Sequence, residues 1–154
     1  MASLYLTVAI PGAGKTTIAR EFVANNPHVV YLSSDGLRAV LGKSEDDQTV
    51  SGQVFEYIRN MTEFFLRNNI SVLVDATNYN RSNRASLVGA ARRNNAFITA
   101  FVSRVPFDVS VARNKQRARV VPDFVLERMR NGFESPCLDE VDEIIFFDEN
   151  GFID

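Results

Sequence analysis

Apolar and polar positions along this chain follow two alternating rhythms. Residues 4–10, 28–33, 71–75, 97–103 and 141–147 are short, nearly continuous apolar runs rich in Val, Ile, Phe and Tyr. Such runs fit strands buried on both faces of a parallel sheet. Between them the apolar positions recur every three or four residues. Val50, Val54, Tyr57, Ile58, Met61, Phe64 and Phe65 fall on one stripe and predict a long helix to about Asn68. The same rhythm predicts helices over 15–25, 34–41 and 82–94, from about Phe107 into the Arg-rich segment 113–119, and from Pro122 to about Asn131. Ser34 is the expected N-cap of the second helix. Residues 42–49 read as a loop, and 149–151 as a turn followed by a short return strand at Phe152-Ile153. Strand–helix alternation of this kind predicts an α/β domain with a parallel sheet, helices on both faces and sites at the strand C-terminal ends.

The first junction carries the clearest chemistry. Ala9-Ile-Pro-Gly-Ala-Gly-Lys-Thr-Thr17 lies between an apolar run and an amphipathic one, as a phosphate-binding loop requires. Gly12 and Gly14 let the backbone turn so that N–H groups, with those of Ala13 and Thr17, face phosphate oxygens. Lys15 would neutralise the outer phosphates, and Thr16 would offer a hydroxyl to Mg²⁺. The usual pattern begins with glycine, where this chain has Ala9. The plainer alternative is a glycine-rich turn capping an ordinary helix.

Length and composition narrow the setting. The 154 residues suffice for one domain, 1–154, with a full core. No apolar run is long enough to span a bilayer, and the first residues have no charged leader region, so no targeting peptide and no membrane association are expected. Cys137 is the only cysteine and His28 the only histidine, which excludes an internal disulfide and argues against a His/Cys metal site. A cytoplasmic location is expected. The net charge is −2, but residues 81–131 hold eleven Arg or Lys and three acids, a local +8 against −10 elsewhere. That asymmetry suggests a local polyanion site.

Three further clusters should meet the loop at the strand ends. Asp35 and Arg38 lie at i,i+3 after the second strand. A carboxylate beside an arginine suits a kinase acceptor site, the first orienting a hydroxyl and taking its proton, the second holding a phosphate next to it. A capped helix with a local ion pair is the alternative. Asp75 ends the third strand, where an acid can hold a water of Mg²⁺ or simply cap a turn. Arg113 and Arg117, at i,i+4 on one expected helix face, could stabilise charge on the donor phosphates as an Arg-rich lid. Otherwise they belong to a solvated basic face.

Together these segments are specific. The loop at 9–17, Ser33-Ser34-Asp35-Gly36-Leu37-Arg38, Asp75-Ala-Thr-Asn78-Tyr-Asn80-Arg81, Arg113-x-x-x-Arg117 and Val121-Pro122 follow the order seen in polynucleotide 5′-kinases. Over about residues 4–147 the chain resembles the kinase domain of bacteriophage-type polynucleotide kinase/phosphatases. The resemblance implies a three-layer P-loop kinase fold with four or five parallel strands and a lid. It implies ATP or another NTP as donor, Mg²⁺, and the 5′-hydroxyl end of DNA or RNA as acceptor. It further implies Asp35 as general base, Arg38 on the acceptor's 3′-side phosphate, Lys15 and Thr16 on the donor phosphates and Mg²⁺, Arg117 on the donor phosphates, and Arg113 supporting the lid and the nucleotide. Asp75 would serve metal, acceptor or structure. The aspartate-based phosphatase module of the bifunctional proteins has no counterpart in this sequence, so no 3′-phosphatase activity is expected. A P-loop kinase for a nucleoside, sugar or other metabolite is the nearest rival reading. A nucleotide-driven regulatory module is the rival from a different class. Oligomeric state is open.

Overall fold

The computed structural model describes residues 1–42, 48–117 and 120–153. Most of the loop expected at 42–49, and the Arg119 end of the Arg-rich segment, lie outside the described residues. The chain runs β1 (Ser3–Val8), α1 (Lys15–Asn25), β2 (Val30–Ser33), α2 (Ser34–Leu41), one 3-10 turn (Gln48–Val50), α3 (Ser51–Arg67) and β3 (Val72–Asp75). It continues through α4 (Arg81–Arg93), β4 (Phe97–Ser103), α5 (Phe107–Lys115), α6 (Asp123–Asn131), β5 (Glu143–Asp148) and β6 (Gly151–Phe152).

The sheet order is β2-β3-β1-β4-β5-β6. Five strands are parallel, as expected, and the turn at 149–151 adds β6 antiparallel to β5. Side chains alternate between faces along each strand, and both faces are covered. Leu4, Leu6, Val72, Val74, Ile98 and Ala100 pack with Val54, Ile58 and Leu66 of α3 and Leu87 and Ala91 of α4. Leu73, Phe101 and Phe147 pack on the opposite side with Ile18 and Ala19 of α1. Double coverage is why the strands read as unbroken apolar runs. The result is a three-layer α/β fold with β1 central, its C-terminal end flanked by those of β3 and β4. Among the described residues, no helix is long and apolar enough to cross a membrane.

Two helix ends differ from expectation. Ser33, rather than Ser34, caps α2: its backbone is extended (φ −114°) and its Oγ accepts from the Gly36 N–H at 3.1 Å. Ser34 is already helical and buried. The N-cap residue must keep an extended backbone for its side chain to reach the first-turn amides, so the cap falls one residue earlier. The helix through 113–119 stops at Lys115. Gln116 and Arg117 donate N–H bonds to the carbonyls of Arg113 (3.1 Å) and Asn114 (3.2 Å), a tightened i→i−3 ending. The buried Asn114 side chain clamps Val121, donating to its carbonyl at 2.7 Å and accepting from its N–H at 3.0 Å. A helix continued through 119 would carry Val121 out of that reach. Arg113 and Arg117 therefore do not share a helix face; Arg117 lies beyond the C-cap.

Candidate active site

The glycine loop leaves β1 and delivers α1. Gly12 and Gly14 have φ of 88° and 87°, in the left-handed region that favours glycine. A Cβ at Gly12 would stand 2.2 Å from the Ser110 carbonyl oxygen, so α5 rests directly on the loop. Gly12→Ala is expected to cost roughly 2–5 kcal/mol through left-handed strain and overpacking, read as a lower unfolding midpoint and weakened nucleotide binding. Ala9 takes no positive φ and is fully buried, its N–H donating to the Thr77 carbonyl at 2.9 Å. Its methyl group belongs to the apolar cluster containing Ile18 and Phe101. The usual glycine is thus replaced without backbone strain. Gly14 caps α1, and the first turn of that helix carries no acid. The N–H groups of a helix's first turn and its dipole favour an anion at this point.

Asp75, 2% exposed, closes the floor beside the loop. Its Oδ2 accepts from the Thr16 hydroxyl at 2.9 Å and also from the Tyr31 hydroxyl. Burial, reinforced by the neighbouring carboxylate, pushes the Tyr31 phenol up to about 12. Asp75 Oδ1 is buried with no hydrogen-bond partner, and such orphaned oxygens call for a water or ion. Thr16 and this carboxylate fit Mg²⁺, which keeps much of its water shell and uses one or two protein oxygens plus substrate phosphates. Among the described residues no cluster of three His, Cys, Asp or Glu could cage a metal unaided. Sequence reasoning placed Asp75 here but missed Tyr31. The available signal was that a strand tyrosine needs a polar partner for its hydroxyl when buried.

Asp35 stands between two guanidinium groups. Arg38 Nη1 donates to Asp35 Oδ1 at 3.0 Å, and Arg117 Nη2 lies 3.7 Å from Asp35 Oδ2. Arg38 is mostly buried, donates from Nε to the Ser51 hydroxyl at 3.4 Å, and lies 5.6 Å over the Phe55 ring. Arg117 Nη1 is buried without a partner. Arg113 approaches the loop at Gly14 and donates from Nη2 to the Glu149 carbonyl at 3.4 Å.

Two clefts adjoin here. One, about 710 Å³, is lined by residues 12–17 together with Tyr31, Asp35, Arg113, Arg117 and the 148–151 turn. The other, about 560 Å³, is lined by Arg38, Phe55, Tyr79, Val121 and the inner face of α6. Lys15, Asp35 and Arg117 line both. A phosphate-bearing ligand in the first cleft and an acceptor in the second would face each other across those three side chains. All of the loop residues 12–17, Asp35, Arg113 and Arg117 thus converge on the first cleft, Arg38 opens only on the second, and Asp75 lies beneath Thr16.

Of the basic stretch at 81–131, Arg113, Arg117 and Arg128 line the two clefts, while others among the described residues pair elsewhere. Arg81 pairs with Asp139, Arg92 with Asp142 and Arg93 with Glu63. Arg84 is 1% exposed and forms a bidentate pair with buried Glu140, Nε–Oε2 2.9 Å and Nη2–Oε1 3.0 Å. Its Nη1 donates to the Asn78 carbonyl at 2.8 Å, while Asn78 Nδ2 donates to the Thr7 carbonyl at 2.9 Å. Arg84 thereby anchors the 77–79 wall of the second cleft. Sequence reasoning missed this role, although Arg84 shares a helical stripe with Leu87 and Ala91, where a surface arginine is out of place.

A three-layer α/β domain with this glycine loop after β1 and an Asp–Arg pair after β2, on the far side of β3, is the P-loop kinase fold, and it implies nucleotide binding. The chain belongs to the AAA domain family AAA_33, whose profile matches residues 4–136. It is 25% identical over 141 residues to an L-seryl-tRNA(Sec) kinase of Methanococcus maripaludis, covering 86% of this chain and 53% of the relative. The chain spans about half the length of that curated relative. Solved structures share the fold. A putative kinase from Chloroflexus aurantiacus has a TM-score of 0.77 at 16% identity, over 96% of this chain and 88% of that one. A chain of the Pnkp1/Rnl/Hen1 RNA repair complex has 0.74 at 24%, over 85% and 43%. A gluconokinase from Sinorhizobium meliloti has 0.65 at 16%, over 96% and 82%. Proteins similar to this one thus include kinases named for nucleic-acid and for sugar acceptors.

Proposed function

We propose that this chain is a polynucleotide 5′-kinase, transferring the γ-phosphate of ATP or another NTP to the 5′-hydroxyl end of DNA or RNA. The observation that carries the reading is the pair of clefts joined at Lys15, Asp35 and Arg117. The glycine loop and the start of α1 bind the β- and γ-phosphates through backbone N–H groups, with Lys15 and Arg113 adding positive charge. Thr16 and Asp75 would hold Mg²⁺, which when bound would neutralise charge on the donor phosphates. Asp35 Oδ2 orients the acceptor hydroxyl and takes its proton as the oxygen attacks. Arg117, with one guanidinium nitrogen lacking a partner, draws the charge developing on the transferred group. Because the transition state is loose, alignment across the shared wall matters more than base strength.

Arg38 grips the phosphate on the 3′ side of the acceptor sugar. A small-molecule kinase is the competing reading, favoured by one fact: Arg38 already bonds Asp35 and Ser51 and needs no acceptor phosphate to be satisfied. Arg38→Ala separates the two. Loss of a charged hydrogen bond predicts a KM increase of about 10–100-fold for a 3′-nucleotide, with little change for a bare nucleoside. Equal losses on both acceptors would assign Arg38 to holding Asp35 alone.

A further inference from the structure

The second cleft has more positive charge than one acceptor phosphate needs. Lys15, Arg38, Arg117 and Arg128 line it against a single acid, Asp35. Lys15 and Arg117 also line the first cleft, and Arg38 is paired to Asp35. Arg128 is left over. It is exposed on α6, and among the described residues its side chain has no hydrogen bond, ion pair or ring contact. The other arginine of that last turn is engaged elsewhere, for Arg130 lies 4.5 Å over the Phe107 ring. Arg128 stands at i+3 from Val125, and with Met129 these residues turn one face of α6 into the cleft. The cleft is also lined by Phe55 of α3 and by Tyr79, whose ring packs beside Gly132 at the end of α6. Flat apolar faces interleaved with guanidinium groups suit bases stacked along a phosphate chain. The cleft volume of about 560 Å³ lies within the range of ligand sites and exceeds what a single small alcohol would fill.

We propose that Arg128 binds a second acceptor phosphate, the one following the phosphate held by Arg38, so that the cleft selects acceptors of two or more nucleotides over a 3′-mononucleotide. This rests on the polynucleotide 5′-kinase reading above. Arg128 touches neither the donor nor the reacting atoms and determines acceptor length through binding alone.

The test is steady-state transfer from ATP to three 5′-hydroxyl acceptors, a nucleoside, a 3′-mononucleotide and a dinucleotide with a 3′-phosphate, by the full chain and its Arg128→Ala and Arg128→Lys variants. The full chain is expected to show a KM for the dinucleotide about tenfold below that for the mononucleotide. Arg128→Ala erases this gain, raising the dinucleotide KM about tenfold while the mononucleotide KM moves less than twofold and kcat holds. Arg128→Lys, a point charge without the planar fork, retains part of the gain. The salt dependence of dinucleotide binding falls by about 0.7 in log–log slope in Arg128→Ala, as loss of one single-strand phosphate contact requires. An unchanged dinucleotide KM, or an equal change on both phosphorylated acceptors, overturns the proposal. A wild-type chain that uses mononucleotide and dinucleotide equally overturns it too, while leaving the kinase reading intact. No transfer to any of the three acceptors removes the reading itself.

Discussion

Asp35→Asn is expected to keep nucleotide binding and lose phosphoryl transfer. The substitution preserves shape and leaves an oxygen to accept from Arg38, now at 3.0 Å. It removes the negative charge that faces both Arg38 and Arg117 and the lone pair that, in the proposed reaction, takes the acceptor's proton. General-base contributions of this kind are worth about 10²–10⁴-fold in rate, so kcat is expected to fall by that much. Donor affinity should hold or tighten, because a carboxylate bordering the phosphate cleft repels the donor. Nucleotide titration beside single-turnover transfer reads both quantities. Parallel loss of nucleotide binding would make Asp35 a structural partner of the two arginines and no base.

Arg84→Met is expected to be among the most destabilising single changes in the chain. It leaves Glu140, 5% exposed, as an unpaired buried carboxylate and frees the Asn78 carbonyl. Breaking one side of a buried ion pair costs about 3–5 kcal/mol, or roughly 6–20 °C in unfolding midpoint for a domain of this size. The double change Arg84→Met with Glu140→Leu should recover most of the loss, since a buried pair and an apolar replacement of similar volume are close in stability. Acceptor binding is expected to stay impaired in the double variant, because the 77–79 wall no longer has its anchor. Thermal unfolding of the two variants, with acceptor KM for the double, checks both statements. A drop below about 1 kcal/mol in Arg84→Met would mean that Glu140 finds water or another donor.

Features held by neighbours in sequence were legible before the structure. The glycine loop is local chemistry, with its turn residues, lysine and threonine in one stretch between a strand and a helix. Double coverage of the sheet made the parallel strands readable as apolar runs. Features set by distant partners were not. The end of α5 depends on the Asn114–Val121 clamp, which no helical periodicity records. The +8 of residues 81–131 suggested a local polyanion site, and Arg113, Arg117 and Arg128 do line the clefts; what the count could not show is that Asp139, Glu140 and Asp142, just past that segment, fold back on Arg81, Arg84 and Arg92. The Ser33–Ser34 ambiguity turned on which serine stays extended, and Tyr31 reaches Asp75 only because β2 and β3 pair with Ser33 beside Asp75.

Transfer of label from γ-labelled ATP, with Mg²⁺, tests the central claim most directly. The acceptors are a 5′-hydroxyl DNA oligonucleotide, an RNA oligonucleotide, a nucleoside panel and a sugar panel, each with the wild-type chain and Asp35→Asn. The account predicts label on an oligonucleotide that disappears in the variant. Label confined to nucleosides or sugars, or none at all while ATP still binds, would contradict it.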